Sequence, residues 1–339
     1  MRFRPKPYGT ACTPPFWARG GHSQTILAHI IPTAARGLDA ADPNVRSLDI
    51  ALGDGDQLRA YYAPGTSGTL VAAFHGLSGN STSDYMRLAM ASARRAGHSL
   101  LAVNHRGCGT GRGLARGLYH SGRGDDLGAV FAFARRELNE PRILAVGYSL
   151  SGNALLHLLS DESAKERWPA GALAINPPID LHSCSEHISS GLSRIYDLRF
   201  VRRCLGILRE REEDGLLPAG YVIPRPRTLR EFDDLVTAPL SGFLNADDYY
   251  ARCSTAGRLA RIERPTVIVH SQDDPFVTAQ TFLQADLSPM IHLHLEQHGG
   301  HVGYLTKRAP QQGLGIKNAE KWLGGALDHY LGELMKALD

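Results

Sequence analysis

The sequence of 339 residues is 43% hydrophobic, enough apolar material for one large domain or two small ones, and its formal net charge is +3. The basic residues are mixed with acidic ones and form no polybasic run, so we expect no nucleic-acid partner. The five cysteines are widely spaced, which predicts a protein without a disulfide framework. We find no signal peptide and no apolar run of the ~18–20 residues that a membrane span needs, so we expect a cytoplasmic protein.

The N-terminal part of the chain is predicted to differ from the rest. Prolines are scattered through residues 1–44, which we expect to be an irregular segment that wraps over a core built elsewhere. Residues 45–52 and 58–63 alternate in part between apolar and polar side chains. They flank the turn-forming string Gly53-Asp54-Gly55-Asp56, which predicts an antiparallel hairpin.

From residue 69 onward, the pattern alternates between strands and helices. Short apolar runs typical of buried parallel strands occur at 70–74, 99–103, 142–146, 170–175, 266–270 and 291–295. Segments with a helical pattern occur at 83–96, 125–138 and 317–334. Alternation of this kind predicts a mostly parallel sheet with helices on both faces.

The alternation stops between residues 178 and 264. This stretch is charged and helical in places, and it has no clear strand of its own. We interpret it as a cap-like insertion that lies over the sheet. A plain surface excursion is the alternative, because nothing in the composition shows that the stretch covers a site.

A candidate nucleophile lies in the string Gly147-Tyr148-Ser149-Leu150-Ser151-Gly152, between an apolar run and a segment rich in helix formers. The string is a near match to G-x-S-x-G, in which a sharp strand-to-helix turn holds a serine at its apex. Small residues are needed two positions before and after that serine, and Gly147 and Ser151 meet this need. A chance cluster of serines is the alternative, but the flanking strand and helix favour a nucleophilic Ser149.

A nucleophilic serine requires a histidine base and an acid that orients it, and in this architecture they follow in the order serine, acid, histidine. Asp273 and Asp274 follow the predicted strand 266–270, and His301 follows the strand 291–295. Because the carboxyl ends of parallel strands meet at one edge of a sheet, we expect these residues to lie near Ser149. We favour Asp274 as the acid, and Asp273, which could instead cap the following helix, is the alternative.

Two backbone N–H groups are candidate donors to an oxyanion. The N–H of Leu150 follows the serine directly, and the N–H of Leu77 lies in the loop after the strand 70–74. Gly76 before Leu77 allows that loop to turn sharply. An ordinary tight turn is the alternative reading of the His75-Gly76 pair.

Seven strings, taken together, resemble the α/β-hydrolase superfamily, and more closely its YheT-like branch, which includes YheT-type esterases and ABHD-type lipases. These strings are His22-Ser23-Gln24-Thr25, His75-Gly76-Leu77-Ser78-Gly79, Asn104-His105-Arg106-Gly107-Cys108-Gly109, Tyr119-His120-Ser121-Gly122, Gly147-Tyr148-Ser149-Leu150-Ser151-Gly152-Asn153, Asp273-Asp274-Pro275-Phe276 and Gly300-His301-Val302-Gly303-Tyr304. The resemblance implies an α/β-hydrolase fold in a single domain of residues 1–339, with a mostly parallel eight-stranded sheet and a helical cap. Two positions depart from the branch: Ser151, where glycine is common, and Ser23, where leucine is usual.

The function that this resemblance implies is a serine carboxylester hydrolase with the triad Ser149, Asp274 and His301. Its expected partner is a small-molecule or lipid ester with a short to medium acyl chain, such as a monoacylglycerol, and no cofactor or metal is expected. A thioesterase or acyltransferase with the same triad is one alternative. A non-catalytic binding protein on the same fold is another, since a fold does not determine a function.

Three further patterns have weaker functional interpretations. The glycine-rich loop 106–113 follows a strand but lacks the register of a dinucleotide-binding loop, so we expect it to pack beside the serine. His120 and Asp125 have a spacing found in some acyltransferases, although we favour a turn residue and a helix cap. The pair His292 and His294 would share one face of a strand and could bind a metal, but His301 of the same histidine-rich patch is needed for the triad.

Overall fold

The computed structural model describes residues 2–39, 41–307 and 319–339. The strands among these residues are β1 (Arg46–Ala51), β2 (Gln57–Ala63), β3 (Thr69–Phe74), β4 (Ser99–Val103), β5 (Arg142–Tyr148), β6 (Gly171–Ile175), β7 (Thr266–Ser271), β8 (Ile291–Glu296), β9 (Leu305–Lys307) and β10 (Ala319–Lys321). The α-helices are α1 (Gly21–Ile30), α2 (Asp84–Arg95), α3 (Gly124–Glu137), α4 (Leu150–Leu159), α5 (Leu181–Ile188), α6 (Arg194–Glu213), α7 (Leu229–Phe232), α8 (Ala238–Leu240), α9 (Ala246–Cys253), α10 (Gln280–Gln284) and α11 (Trp322–Lys336).

Eight of the strands form one sheet in the order β1-β2-β4-β3-β5-β6-β7-β8. Strand β1 is antiparallel to β2, and β2 is antiparallel to β4. All the other neighbours in this sheet are parallel. The predicted hairpin at the start of the sheet and the mostly parallel eight-stranded architecture are therefore confirmed.

The apolar run at 70–74 is continuous because the central strand β3 is covered on both faces of the sheet. Successive side chains of a strand point to opposite faces of the sheet. Leu70 and Phe74 pack in the core on the side of α3 and α4, whereas Val71 and Ala73 pack in the core on the side of α2 and α11. All four side chains are fully buried. Because both faces are covered, a polar residue at every second position of β3 would bury a polar group without a hydrogen-bond partner.

The prediction that residues 1–44 are irregular is wrong at Gly21–Ile30, which form helix α1. The segment has little amphipathic pattern and therefore few helical signals in its sequence. Its stability comes from tertiary contacts. The Gln24 side chain is fully buried, and its amide donates to the carbonyl oxygens of Ala18 and Leu305 at 2.8 and 3.0 Å.

Residues 178–264 contain helices α5 to α9, and none of these residues lies in a strand. Helix α7, a π-helical turn at Asp233–Thr237 and helix α8 follow one another without a break. The predicted closing helix 317–334 begins later than expected: residues 317 and 318 lie outside the described residues, 319–321 form β10, and the helix starts at Trp322. Among the described residues, no helix has the length and apolar composition needed to cross a bilayer.

Candidate active site

Ser149 lies at the turn between β5 and α4, and its backbone has a positive φ of 51° with ψ at −120°. A residue with a side chain rarely adopts this conformation. The Ser149 N–H donates to the carbonyl oxygen of Ile175 at 2.8 Å, which ties the turn to strand β6. A Cβ atom on Gly147 would lie 2.6 Å from the carbonyl oxygen of Ser151. The turn therefore requires glycine at position 147, as the sequence pattern indicates.

The structure brings Ser149, His301 and Asp274 together at the carboxyl edge of the sheet. Ser149 Oγ lies 2.8 Å from His301 Nε2, and His301 Nδ1 lies 2.7 Å from Asp274 Oδ2. Because a carboxylate accepts hydrogen bonds, Nδ1 carries the proton and Nε2 is free to accept the hydroxyl proton of the serine. These distances match those of a nucleophile, a base and an orienting acid.

The carboxyl group of Asp274 is held by several donors. Asn176 Nδ2 donates to Oδ2 at 2.8 Å, and the N–H groups of Phe276 and Val277 donate to Oδ1 at 3.1 and 3.0 Å. Burial of this side chain raises the pKa of the carboxyl group. The charge and hydrogen bond of His301, together with His270 and the N–H of Val277, outweigh burial, so the pKa lies below its ordinary value. Asp274 is therefore a buried carboxylate next to the imidazole.

Asp273 has a different set of contacts. Its Oδ1 accepts the N–H groups of Gly299 and Gly300 at 2.9 and 2.8 Å. These two glycines precede His301 directly, so Asp273 fixes the loop that carries the histidine. Asp274, and not Asp273, therefore contacts the imidazole. The backbone N–H groups of the turn that follows the two aspartates also bind Asp274 rather than Asp273.

Three residues that the sequence analysis did not single out also hold the site. Thr25 Oγ1 accepts the backbone N–H of His301 at 2.9 Å, and Gln24 Oε1 accepts the N–H of Leu305 at 2.6 Å. Asn176, with a φ of 46°, directs its amide at Asp274. The string that contains Gln24 and Thr25 was recognisable as a family signature, but its role depends on contacts nearly 280 residues away along the chain.

The two candidate oxyanion donors flank Ser149. Leu150 is the first residue of α4, where backbone N–H groups have no partner inside the helix. Leu77 lies in the loop after β3, and a Cβ atom on Gly76 would lie 3.1 Å from Ser149 Cβ, so this loop passes close to the serine. Neither the N–H of Leu77 nor that of Leu150 has an acceptor within the part of the chain that the structure describes.

Ser151 connects the serine turn to the loop after β3. Its hydroxyl donates to the carbonyl oxygen of His75, and its oxygen lies 2.5 Å from His105 Nε2. His105 in turn donates its backbone N–H to His75 Nε2 at 3.1 Å. Burial lowers the pKa of His75 well below its ordinary value and that of His105 to about 4, so both rings are neutral. The serine that departs from the family pattern therefore takes part in a buried network.

Replacing Ser151 with alanine is expected to destabilise the protein by about 1–3 kcal/mol, because the His75 carbonyl and His105 Nε2 lose a buried partner. Urea unfolding of this variant would measure the loss. Ser190, an exposed serine that also donates to a carbonyl oxygen, offers a matched control, and its alanine variant is expected to differ from wild type by less than about 0.5 kcal/mol. Equal losses in both variants would contradict a specific role for the Ser151 hydroxyl.

Two cavities of different character meet at Ser149. An apolar cavity of about 120 Å³ is lined in part by helices α5, α6, α7 and α9 of the 178–264 segment. Its apolar lining includes Leu118, Leu181, Ile188, Leu208, Phe232 and Tyr249. A larger cleft of about 410 Å³, which we call the polar cleft, also reaches Ser149. Its lining mixes apolar side chains such as Leu88 and Phe276 with the polar and charged side chains of His29, Asn80, Ser83, Arg199, Arg203 and Lys321. The site can therefore hold an apolar chain in one cavity and a polar group in the other.

Asp233 is a buried acid in the lining of the apolar cavity. Its carboxyl group accepts hydrogen bonds from the hydroxyls of Thr237 and Tyr250 at 2.7 and 2.8 Å. Burial raises its pKa to about 6, and these two hydrogen bonds limit the rise. An acid whose pKa is higher in the folded than in the unfolded state favours folding most at low pH, and this contribution falls as the pH rises from about 4 to about 6.

The variant Asp233→Asn is therefore expected to gain stability relative to wild type as the pH rises from 4 to 7, by up to about 3 kcal/mol. Urea unfolding of both proteins at each pH would measure this difference. The exposed Asp286 offers a control, and Asp286→Asn is expected to follow the wild-type profile. Parallel pH profiles for wild type and Asp233→Asn would contradict the assignment.

The remaining patterns of the sequence have structural partners. In the loop 106–113, the Arg106 guanidinium is buried and contacts three carboxylates: those of Asp54, Asp56 and Asp126. His294 Nδ1 lies 2.8 Å from the hydroxyl of Tyr330. Within the described residues, no three His, Cys, Asp or Glu side chains lie close enough to hold a metal ion.

His120 and Asp125 also have local partners. His120 Nδ1 accepts the N–H of Gly122 at 3.1 Å. Asp125 lies in the first turn of α3 rather than at its cap, which is Arg123, and it pairs with Arg167 at 2.9 Å.

Comparison with known proteins shows the family to which this chain belongs. A model described as the alpha/beta hydrolase family matches residues 70–312. The Escherichia coli (strain K12) protein YheT, whose name assigns it to the esterases, is 34% identical over 269 residues, which cover 78% of this chain and 76% of YheT. A monoacylglycerol lipase of Saccharomyces cerevisiae is 29% identical over 246 residues, and the match covers 69% of this chain but only 54% of the lipase.

Among solved structures, the Pyrococcus furiosus esterase Pf2001 superposes with a TM-score of 0.57. The two chains are 15% identical, and the match covers 90% of this chain and 98% of the esterase. At this level of identity, the similarity shows a shared fold.

Proposed function

This chain belongs to the α/β hydrolase family, in its YheT-like branch, and from that premise we propose that it cleaves carboxylic esters through an acyl-enzyme on Ser149. Its general class is that of a hydrolase of the esterase and lipase type. The observation that carries this proposal is the continuous chain of hydrogen bonds from Ser149 Oγ through the His301 ring to Asp274. Ser149 is the nucleophile, His301 the base and Asp274 the orienting acid.

In the first half of the proposed reaction, Ser149 Oγ attacks the ester carbonyl carbon while its proton passes to His301 Nε2. Asp274 keeps the Nδ1 proton in place and stabilises the imidazolium that forms. His301 then donates its Nε2 proton to the departing alcohol, which leaves the acyl group on Ser149. In the second half, His301 Nε2 takes a proton from water as the water oxygen attacks the acyl carbon. The bond between the acyl carbon and Ser149 Oγ then breaks, His301 returns the proton to Ser149 Oγ, and the acyl group leaves as a carboxylic acid.

The oxyanion of each tetrahedral intermediate would be stabilised by the N–H groups of Leu77 and Leu150. Both donors lie at the cavity that contains Ser149, and neither is used by another acceptor among the described residues. Donors that are fixed before the reaction cost little reorganisation, which is why such groups often contribute several kcal/mol to catalysis. The Ser151–His75 hydrogen bond supports this role, because it holds the Leu77 loop against the serine turn.

We propose further that the whole chain is a single domain in which residues 178–264 form a cap over the acyl-binding cavity. Helix α6 supplies Phe200 and Leu208 to this cavity, and α9 supplies Tyr249 and Tyr250. The cavity is small and apolar, which favours a short to medium acyl chain.

A series of p-nitrophenyl esters from butyrate to palmitate, together with butyryl-coenzyme A, tests this proposal. We expect kcat/KM to be highest for the short and medium esters and to fall for palmitate. Much faster cleavage of the coenzyme A thioester would favour a thioesterase with the same triad. A folded protein that turns over none of these substrates would favour a binding protein.

A further inference from the structure

The polar cleft carries a positive charge that the proposed reaction does not use. Arg199 and Arg203 lie one turn apart on α6, and Lys321 lies on β10, and all three line the cleft that contains Ser149 and His301. We call these three side chains the cationic cluster. Of the described residues that line the cleft, Asp84 alone is acidic; its carboxylate lies 3.8 Å from Arg87, and its charge also acts on Lys321.

Within the part of the chain that the structure describes, the two arginines of the cluster have no acidic partner. Neither Arg199 nor Arg203 has a carboxylate within 4.0 Å among the described residues, and residues 308–318 contain no Asp or Glu. Like charges four residues apart on a helix destabilise it. Partial burial and the charge of Arg203 lower the pKa of Arg199, as expected for two neighbouring guanidinium groups that repel each other. An anion bound between them would remove this repulsion.

Lys321 is positioned by the fold rather than free in solvent. Its side chain is half-buried, and its Nζ donates to the carbonyl oxygen of Ala28 on helix α1 at 2.6 Å. Burial lowers its pKa to about 8, and the charge of Asp84 limits the fall. Lys321 therefore remains mostly protonated at pH 7 and keeps two ammonium protons for another acceptor.

Ser149 lines both cavities, whereas His301, which protonates the departing alcohol in the proposed reaction, lines only the polar cleft. With the acyl chain in the apolar cavity, as proposed above, the alcohol portion would occupy the polar cleft, beside His301 and the cationic cluster. Two guanidinium groups and one ammonium group match the several oxygens of a phosphate. We propose that the alcohol portion of the substrate carries a phosphate group that binds Arg199, Arg203 and Lys321. This inference rests on the proposed function and names its substrate class.

The reaction keeps the balance of an ordinary ester hydrolysis. One water molecule is consumed, the acyl C–O bond breaks, and the products are a carboxylic acid and a phosphorylated alcohol. The phosphate ester bond itself does not react.

Two water-soluble substrates with the same acyl group test the inference: 1-butyrylglycerol and 1-butyrylglycerol 3-phosphate. For the wild type, we expect kcat/KM to be roughly tenfold or more higher for the phosphorylated ester, since it gains two or three partly exposed ion pairs. This ratio should fall as salt is added, because partly exposed ion pairs are screened. In the double variant Arg199→Gln, Arg203→Gln the ratio is expected to fall close to one.

Arg202 provides the matched control, because it lies on the same helix, is exposed and lines neither cavity. The variant Arg202→Gln should keep the wild-type ratio. A ratio near one in the wild type, or a high ratio that survives in the double variant, would overturn the inference. Inhibition of 1-butyrylglycerol hydrolysis by inorganic phosphate, without preference for the phosphorylated ester, would also overturn it and indicate a site for free phosphate.

Labelling with a fluorophosphonate separates this inference from the proposed function. An adduct on Ser149 together with equal rates for the two esters would overturn the phosphate site and leave the ester hydrolase standing. Absence of both the adduct and any ester turnover would overturn the two proposals together.

Discussion

Replacing Ser149 with alanine is expected to lower kcat for p-nitrophenyl butyrate by roughly 10⁴-fold or more, because the variant has no nucleophile to form the acyl-enzyme. The residual rate would come from the oxyanion donors and from binding alone. Among the described residues, the hydroxyl of Ser149 has one hydrogen-bond partner, His301, so the melting temperature should change little. Steady-state kinetics and a thermal melt of the same preparation measure both effects.

A second substitution at this position separates chemistry from backbone strain. Ser149→Gly also lacks the hydroxyl, but glycine adopts the φ of 51° and ψ of −120° without the steric cost that alanine retains. We therefore expect the glycine variant to be about 1 kcal/mol more stable than the alanine variant and equally inactive. Ester turnover that survives in both variants would contradict the role of Ser149.

The second large effect is expected at Asp274. In Asp274→Asn, the side chain can donate to His301 Nδ1, which favours the tautomer that carries its proton on Nε2. That tautomer cannot accept the proton of Ser149, and we expect kcat to fall by roughly 10³- to 10⁴-fold. Kinetics with a saturating short-chain ester would show whether the loss lies in kcat, as a change in the base predicts, rather than in KM.

Asp273→Asn is the matched control for this change. An asparagine at position 273 can still accept the N–H groups of Gly299 and Gly300, so the histidine loop should keep its conformation. We expect a loss of roughly tenfold or less, from a weaker hydrogen bond to a neutral acceptor. A larger loss in Asp273→Asn than in Asp274→Asn would reverse the roles of the two aspartates.

The parts of the fold that could be predicted from sequence are those in which local pattern and burial agree. The run at 70–74 is apolar throughout because β3 is covered on both faces, and the string around Ser149 needs small residues because its turn is tight. The relative positions of Ser149, Asp274 and His301 also follow from a general rule, since each residue comes after a parallel strand.

Other parts depend on contacts that no local pattern records. Helix α1 has few helical signals and is held by Gln24 and Thr25, whose partners lie near the C-terminal end of the chain. The role of Asn176 requires knowledge of where Asp274 lies. The charge of the polar cleft could not be predicted either, because α6 and β10 supply it from positions more than 100 residues apart.

The substitution of serine for glycine at position 151 shows the same limit. The sequence indicates that serine is small enough for the turn at position 151, but it does not indicate a partner for the serine hydroxyl. In the fold, that hydroxyl joins the serine turn to the His75 loop, which carries one of the candidate oxyanion donors. Its contribution lies in holding two loops together, which a pattern of residue types in one string does not reveal.

Fluorophosphonate labelling followed by peptide mapping tests the account most directly, because the stable adduct forms only on a serine whose hydroxyl is activated by a base. The account predicts one adduct per chain, on Ser149, no adduct in Ser149→Ala, and labelling that is much slower in His301→Ala. An adduct on a different residue, or labelling of Ser149 that is equally fast without His301, would contradict it.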